Sequence, residues 1–136
     1  MIAAKVARMN NDPSLETAEK MIKSAQAEAK RRNIKAAAVV VDHAGHIIAC
    51  SRADGAPYIT VEIARRKATT AACFGVALPT LIEMVKADAL IPAALQSVPD
   101  LLLLPGAVPV GSGALGISGG HYTEDQAIAD ACLDVQ

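Results

Sequence analysis

The chain reads as an α+β protein in which helices flank an antiparallel sheet. Two observations carry that reading. Short β-prone runs come in hairpin-like pairs, at residues 36–52 and 107–118, and stretches of helical apolar periodicity bracket each pair. Hairpins toward both ends of the chain favour an antiparallel sheet over a doubly wound parallel one. With 136 residues, the chain suits a single domain over positions 1–136 with a sizeable core.

The first helix is expected to start at Asp12, Pro13 and Ser14, which offer an N-cap candidate followed by a proline suited to the first turn. Leu15, Ala18, Ile22, Ala25 and Ala29 then recur at helical spacing, and Lys30, Arg31 and Arg32 close the helix where cations suit its dipole. Residues 36–42 and 46–52 form two strands joined by His43, Ala44 and Gly45, a connection fit for a bulged hairpin. After a turn at 53–57, a second helix runs over 58–74 with Val61, Ala64, Ala68, Ala71, Ala72 and Gly75 as its apolar stripe. A third spans 79–89. The proline-punctuated stretch 91–105 has no clear period, and residues 101–104 read as a buried strand or an extended segment. Two short strands meet at a glycine turn within 107–118. Thr123 then caps a last helix, with Gln126 placed for a capping box and Ala127, Ile128, Ala131, Cys132 and Val135 on its buried face.

Composition removes several function classes. Hydrophobic residues make up 52% of the chain but aromatic ones only 2%. The core is therefore aliphatic and alanine-rich, suited to close packing of helix on sheet. A net charge of −1 leaves no electrostatic footprint for nucleic acid or an anionic membrane. Tyr58, Phe74 and Tyr122 are too few to stack single-stranded bases. No stretch approaches the about 20 apolar residues of a membrane span, and the first residues lack a signal-peptide core. Cys50, Cys73 and Cys132 are scattered and odd in number, which fits free thiols in a cytoplasmic setting.

Two motifs are set aside. Gly111, Gly113 and Gly116 satisfy G-x-G-x-x-G, but the following Ser118, Gly119 and Gly120 break a helix where a dinucleotide site needs one to begin. Ser118 lacks the G-x-S-x-G spacing of a hydrolase nucleophile.

Four ordered segments carry a family resemblance. They are Val40-Val41-Asp42-x-x-Gly45; Arg52-x-Asp54-Gly55-Ala56; Ile63-Ala64-x-x-Lys67-Ala68-x-Thr70-Ala71 with Phe74; and Gly116-Ile117-Ser118-Gly119-Gly120 with Asp125 and Ala129. Over about residues 13–134 the chain resembles the GlcG/HbpS family, which includes the C-terminal domain of PduO. The resemblance implies a profilin-like α/β/α sandwich with a five-stranded antiparallel sheet and assembly into homo-oligomers. It also implies a small-molecule ligand: some members bind or degrade haem, and others accompany catabolic pathways. Haem is thus a candidate cofactor. Where the family has G-G-x-P, this chain has Gly106-Ala107-Val108-Pro109, and Met21 is the first helix's one candidate iron ligand.

The candidate site gathers on three features. Lys67 sits on the shoulder of its helix's apolar stripe, either snorkelling to water or facing a pocket as a partly buried cation. Arg52 and Asp54 flank the turn before that helix; Asp54 suits a cap, while an Arg fork, a carboxylate and Lys67 together suit an oxygen-rich anion. Tyr58, Gly119 and Gly120 complete the ligand-binding candidates. His121, next to a helix start, is a candidate base, metal ligand or haem ligand. His43 and His46, three apart in a turn, are candidate metal ligands or ordinary exposed residues. A small-ligand or haem binder is one reading. A cofactor-independent enzyme on a small carboxylate or hydroxy-carbonyl compound, with Lys67 or Arg52 holding the anion and His121 or Asp54 moving a proton, is a second. A structural oligomer unit is a third.

Overall fold

A computed structural model describes residues 11–135 of the chain. In chain order its elements are α1 (Leu15–Arg31), β1 (Ala37–Val41), β2 (Ile47–Arg52), α2 (Ile59–Phe74), α3 (Leu78–Val85), α4 (Leu90–Gln96), β3 (Ala107–Val110), β4 (Gly113–Ser118), α5 (Tyr122–Ala131) and a closing 3-10 turn, Leu133–Val135. The strands form one antiparallel sheet in the order β2-β1-β4-β3. Helices α1 and α5 cover one face, against Ala38, Val40, Val108, Val110, Leu115 and Ile117. Helices α2 and α3 cover the other, against Ala37, Val39, Val41, Ala107 and Ala114. Central β1 is buried along its whole length, which is why it reads as an unbroken apolar run rather than an alternating one.

The expected fifth strand is not found: among the described residues the sheet has four. Residues 101–103 belong to no helix or strand, and side chains take up their backbone groups. Thr70 Oγ1 accepts from the Leu102 N–H at 2.8 Å, Gln96 Oε1 accepts from the Leu103 N–H at 2.7 Å, and Arg66 donates to the Leu101 carbonyl at 2.7 Å. With those groups satisfied, nothing draws the segment into a ladder.

Local boundaries move for similar reasons. Ser14 caps α1, its Oγ accepting from the Thr17 N–H at 3.1 Å, so Pro13 stands before the cap rather than in the first turn. The expected helix over 79–89 is α3, ending at Val85, and α4 follows as a separate helix that buries no residue at all. A helix apolar all round gives no contrast between faces, so periodicity could not find it. The last helix is capped by His121 in place of Thr123. Gln126 does not close a capping box; its Oε1 accepts from the Gly106 and Ala107 amides at 2.7 and 3.1 Å.

The alanine-rich composition acts where α2 crosses β4. Ala64, Ala68 and Ala71 are fully buried there, and Gly116 lies beneath them. A Cβ on Gly116 would stand 2.0 Å from the Ala64 carbonyl oxygen and 2.8 Å from the Ala68 nitrogen. This glycine belongs to the G-x-G-x-x-G pattern, and it serves helix-on-strand contact inside a hairpin. Gly116→Ala is expected to destabilise the protein by roughly 1–3 kcal/mol through overpacking against backbone. A urea midpoint unchanged from wild type would contradict that contact.

Candidate functional site

The turn at 52–55 and the loop at 119–121 meet at one end of the sheet because β1 pairs with both strands that lead into them. Ala37 lies opposite Arg52 on one side and Ser118 on the other. Lys35 fits between the two segments: a Cβ on Gly55 would be 3.0 Å from its Nζ, and one on Gly119 would be 2.4 Å from its carbonyl oxygen. Beside them a cleft of about 370 Å³ is lined by Gln26, Lys30, Lys35 and Asp54 among others. Gln26 is held there, donating to the Ala36 carbonyl and to Ser51 Oγ, both at 2.9 Å. Arg52 and Asp54 are exposed. Among the described residues they form no ion pair with each other, and Asp54 caps nothing: α2 opens on Tyr58, 80% exposed, without a side-chain cap.

Lys67 does not face this cleft. It neither snorkels nor lines a pocket but is fully buried, with Nζ donating to the Ile117 carbonyl at 2.9 Å and to Asp125 Oδ2 at 3.0 Å. Burial pulls its ammonium below the ordinary 10.5, and Asp125 draws it partly back. The other oxygen, Asp125 Oδ1, accepts from the Gly120 N–H at 2.9 Å. Lys67 therefore acts on the 119–121 loop through Asp125, as an internal strut. Space for it depends on Gly106, whose Cβ would come within 2.6 Å of Nζ. In the sequence Asp125 stands out only within the segment that carries the family resemblance. The signal was present: Asp125, Ile128, Ala129 and Cys132 share one helical face, and a carboxylate on a buried face needs a partner.

The three histidines have different fates. His121 spends its Nδ1 on its own helix, with the Thr123 N–H donating to it at 3.3 Å and Thr123 Oγ1 at 2.8 Å. Its ring packs at a tilt of 35° against Tyr122, with 4.1 Å between centroids. Accepting at Nδ1 places the ring proton on Nε2, so the neutral side chain has no lone pair left for a metal or a substrate proton. His43 and His46 lie at the far end of the sheet, the length of β1 away, about 15 Å at strand spacing. They do not converge. His46 Nδ1 is 3.7 Å from Asp42, whereas His43 Nδ1 is 2.8 Å from Asp12 Oδ2. No cluster of three or more His, Cys, Asp or Glu side chains arranged to hold a metal ion occurs among the described residues.

Asp12 grips His43 twice, since its Oδ1 also accepts from the His43 N–H at 2.7 Å. His43 lines a cleft of about 400 Å³ together with Cys73, Phe74, Gly111 and Ser112. Of these, sequence reasoning had picked out His43 alone for a site role, because the other walls come from α2 and the β3–β4 turn.

Two measurements check these assignments. Lys67→Met leaves Asp125 buried without its cation, and a loss of about 3–5 kcal/mol is expected. Combining it with Asp125→Asn should recover part of that loss, and simple additivity in the double-mutant cycle would show that the pair is not coupled. Asp12, with help from Asp42, holds the His43 imidazole above its ordinary 6.5. An NMR titration should place His43 above that value and return it toward 6.5 in Asp12→Asn. The sign follows: the contact adds stability below the ordinary value and loses it as pH rises through the raised one. A wild-type His43 titrating at or below 6.5 would contradict the contact.

Comparison with known proteins agrees with this architecture. The chain is 31% identical over 127 residues to an uncharacterized 15.0 kDa protein of the dhaT–dhaS intergenic region of Citrobacter freundii, covering 89% of each. A crystal structure of a double mutant of Streptomyces reticuli HbpS superposes with a TM-score of 0.82 at 28% identity, covering 91% of this chain and 86% of that one. A crystal structure of a PduOC–haem complex shares the fold, with a TM-score of 0.81 at 23% identity over 92% of this chain and 95% of that one. Residues 14–134 match the family described as haem-degrading protein HbpS-like, and the chain belongs to that family.

Proposed function

We propose that this chain binds a small ligand of the haem type, and that His43 is the residue that meets the iron. The observation that carries the assignment is the geometry of His43. It lines the cleft with Cys73 and Phe74, and Asp12 holds its Nδ1, which leaves Nε2 for a bond. A ligating histidine whose second nitrogen is fixed by a carboxylate is a common way to set ring orientation and raise basicity. His121 lacks that free lone pair, and His46 is 82% exposed. The residues present therefore fit the group at its iron: an oriented imidazole, a thiol and a phenyl ring on the walls of one cleft. Bound haem would supply redox and oxygen chemistry, while the chain would bind and orient it.

Family membership over 14–134 supports this reading. We take the working form to be a homo-oligomer in the cytoplasm. Ile47, Tyr58 and Ile59 leave apolar area uncovered, at 48%, 80% and 47% exposure, and Cys50, Cys73 and Cys132 are free thiols.

Haemin titration followed at the Soret band, with light scattering to count subunits per haem, tests the proposal. Wild-type protein should saturate at micromolar haemin, and His43→Ala should weaken binding about tenfold or more. His46→Ala and His121→Ala should stay within about twofold of wild type. Absence of a Soret shift would sink haem as the ligand. A His43→Ala variant that binds like wild type would remove His43 from its role.

A further inference from the structure

Helix α4 is apolar in every residue but its last, yet it buries no side chain. The same holds well beyond its ends. From residue 83 to residue 100 none is buried, and 15 of those 18 are exposed. Leu90 is 79% exposed, and Met84 in α3 is 67% exposed. No residue from 89 to 98 carries a charge. A helix this short does not hold together in water on its own hydrogen bonds.

The chain nevertheless fastens it at both ends. At its start, Asp88 Oδ1 accepts from the Leu90 N–H at 3.0 Å. At its end, Gln96 Nε2 donates to the Leu101 carbonyl at 3.2 Å, and Gln96 Oε1 accepts from the Leu103 N–H at 2.7 Å. Just beyond, Arg65 of α2 donates to Asp100 Oδ1 at 2.8 Å. An apolar helix held in place and left in water is a preformed surface rather than a loose loop. Exposed apolar patches of this extent mark interaction sites.

We propose that the α4 face docks a second copy of this chain, α4 against α4, antiparallel about a two-fold axis at Ala94. This rests on the homo-oligomeric form given above and names its contact. Extent is the first support. A stable interface takes roughly 20–30 residues a side, and one stretch of 18 residues without a buried side chain comes close to that. Shape is the second. Leu90, Ala94 and Val98 recur every four residues, all exposed, along one outward stripe. An axis at Ala94 lays each Leu90 over the partner's Val98, with the small alanine at the crossing. The patch thus complements itself, as an isologous dimer contact requires. Charge is the third. Lys86 and Asp88 precede the helix, and the Arg65–Asp100 pair stands at its end. Both signs are present at each end, so antiparallel pairing sets no block of like charge against another.

Sedimentation velocity on the full chain at micromolar concentration should show a dimer or a multiple of it. Leu90→Glu places a charge in the contact and should weaken self-association about tenfold or more. Its circular-dichroism spectrum should match that of wild type, because α4 buries nothing within one copy. In Ala94→Cys, a short bis-maleimide should join two chains through position 94, a link that peptide mass spectrometry separates from any through the exposed Cys50 and Cys73. A wild-type chain that sediments as a monomer overturns this contact and the homo-oligomer together, and leaves the face to a different partner. An oligomer that Leu90→Glu leaves intact, or that gives no link at position 94, overturns the α4 contact alone.

Discussion

The arrangement of layers depends on the Lys67–Asp125 contact. Two charged groups, 1% and 3% exposed, sit 3.0 Å apart in the interior. Taking both out of water is costly, and the geometry is tolerable only because the remaining bonds are made, to the Ile117 carbonyl and from the Gly120 amide. Those partners come from α2, β4, α5 and the loop before α5, and Gly106 supplies the space. The surrounding core is aliphatic, mostly alanine and valine, whose packing has little directionality. A single polar knot with fixed distances can therefore set how the two helical layers lie relative to each other, where apolar contact alone would accept several offsets.

What could be read from the residues follows from which faces are buried. Helices α1, α2 and α5 and both hairpins each bury one face or one run, so periodicity located them within a few residues. Helix α4 buries nothing, and residues 101–103 bond to side chains from α2 and α4. Neither carries a local pattern that records its place. The site divides in the same way. Lys67 was conspicuous as a cation in an apolar stripe, yet its partner lies 58 residues away, a contact created by the fold. Asp12 was legible as a cap and became a histidine's partner, because Ser14 takes the cap.

His43 and His121 show how one side chain diverges in chemistry through its neighbours. Both stand in turns and both are exposed. At His121 the backbone donates to Nδ1, and the ring is consumed in starting a helix. At His43 a carboxylate takes Nδ1, and the residue stands in the wall of a cleft. Motif spacing cannot separate these two cases; only the identity of the atom opposite Nδ1 does.

The sheet order also has a directional consequence. Its outer strands are β2 and β3, and β3 carries Pro109 within a span of only four residues. Proline has no N–H to offer a newcomer, and so short a strand gives little to pair with. The six residues of β2 contain no proline. Among the described residues one margin of the sheet is thus blunted by its proline while the opposite margin turns the outward-facing half of its backbone donors away from the sheet, which gives the molecule a polarity toward any strand that approaches from outside.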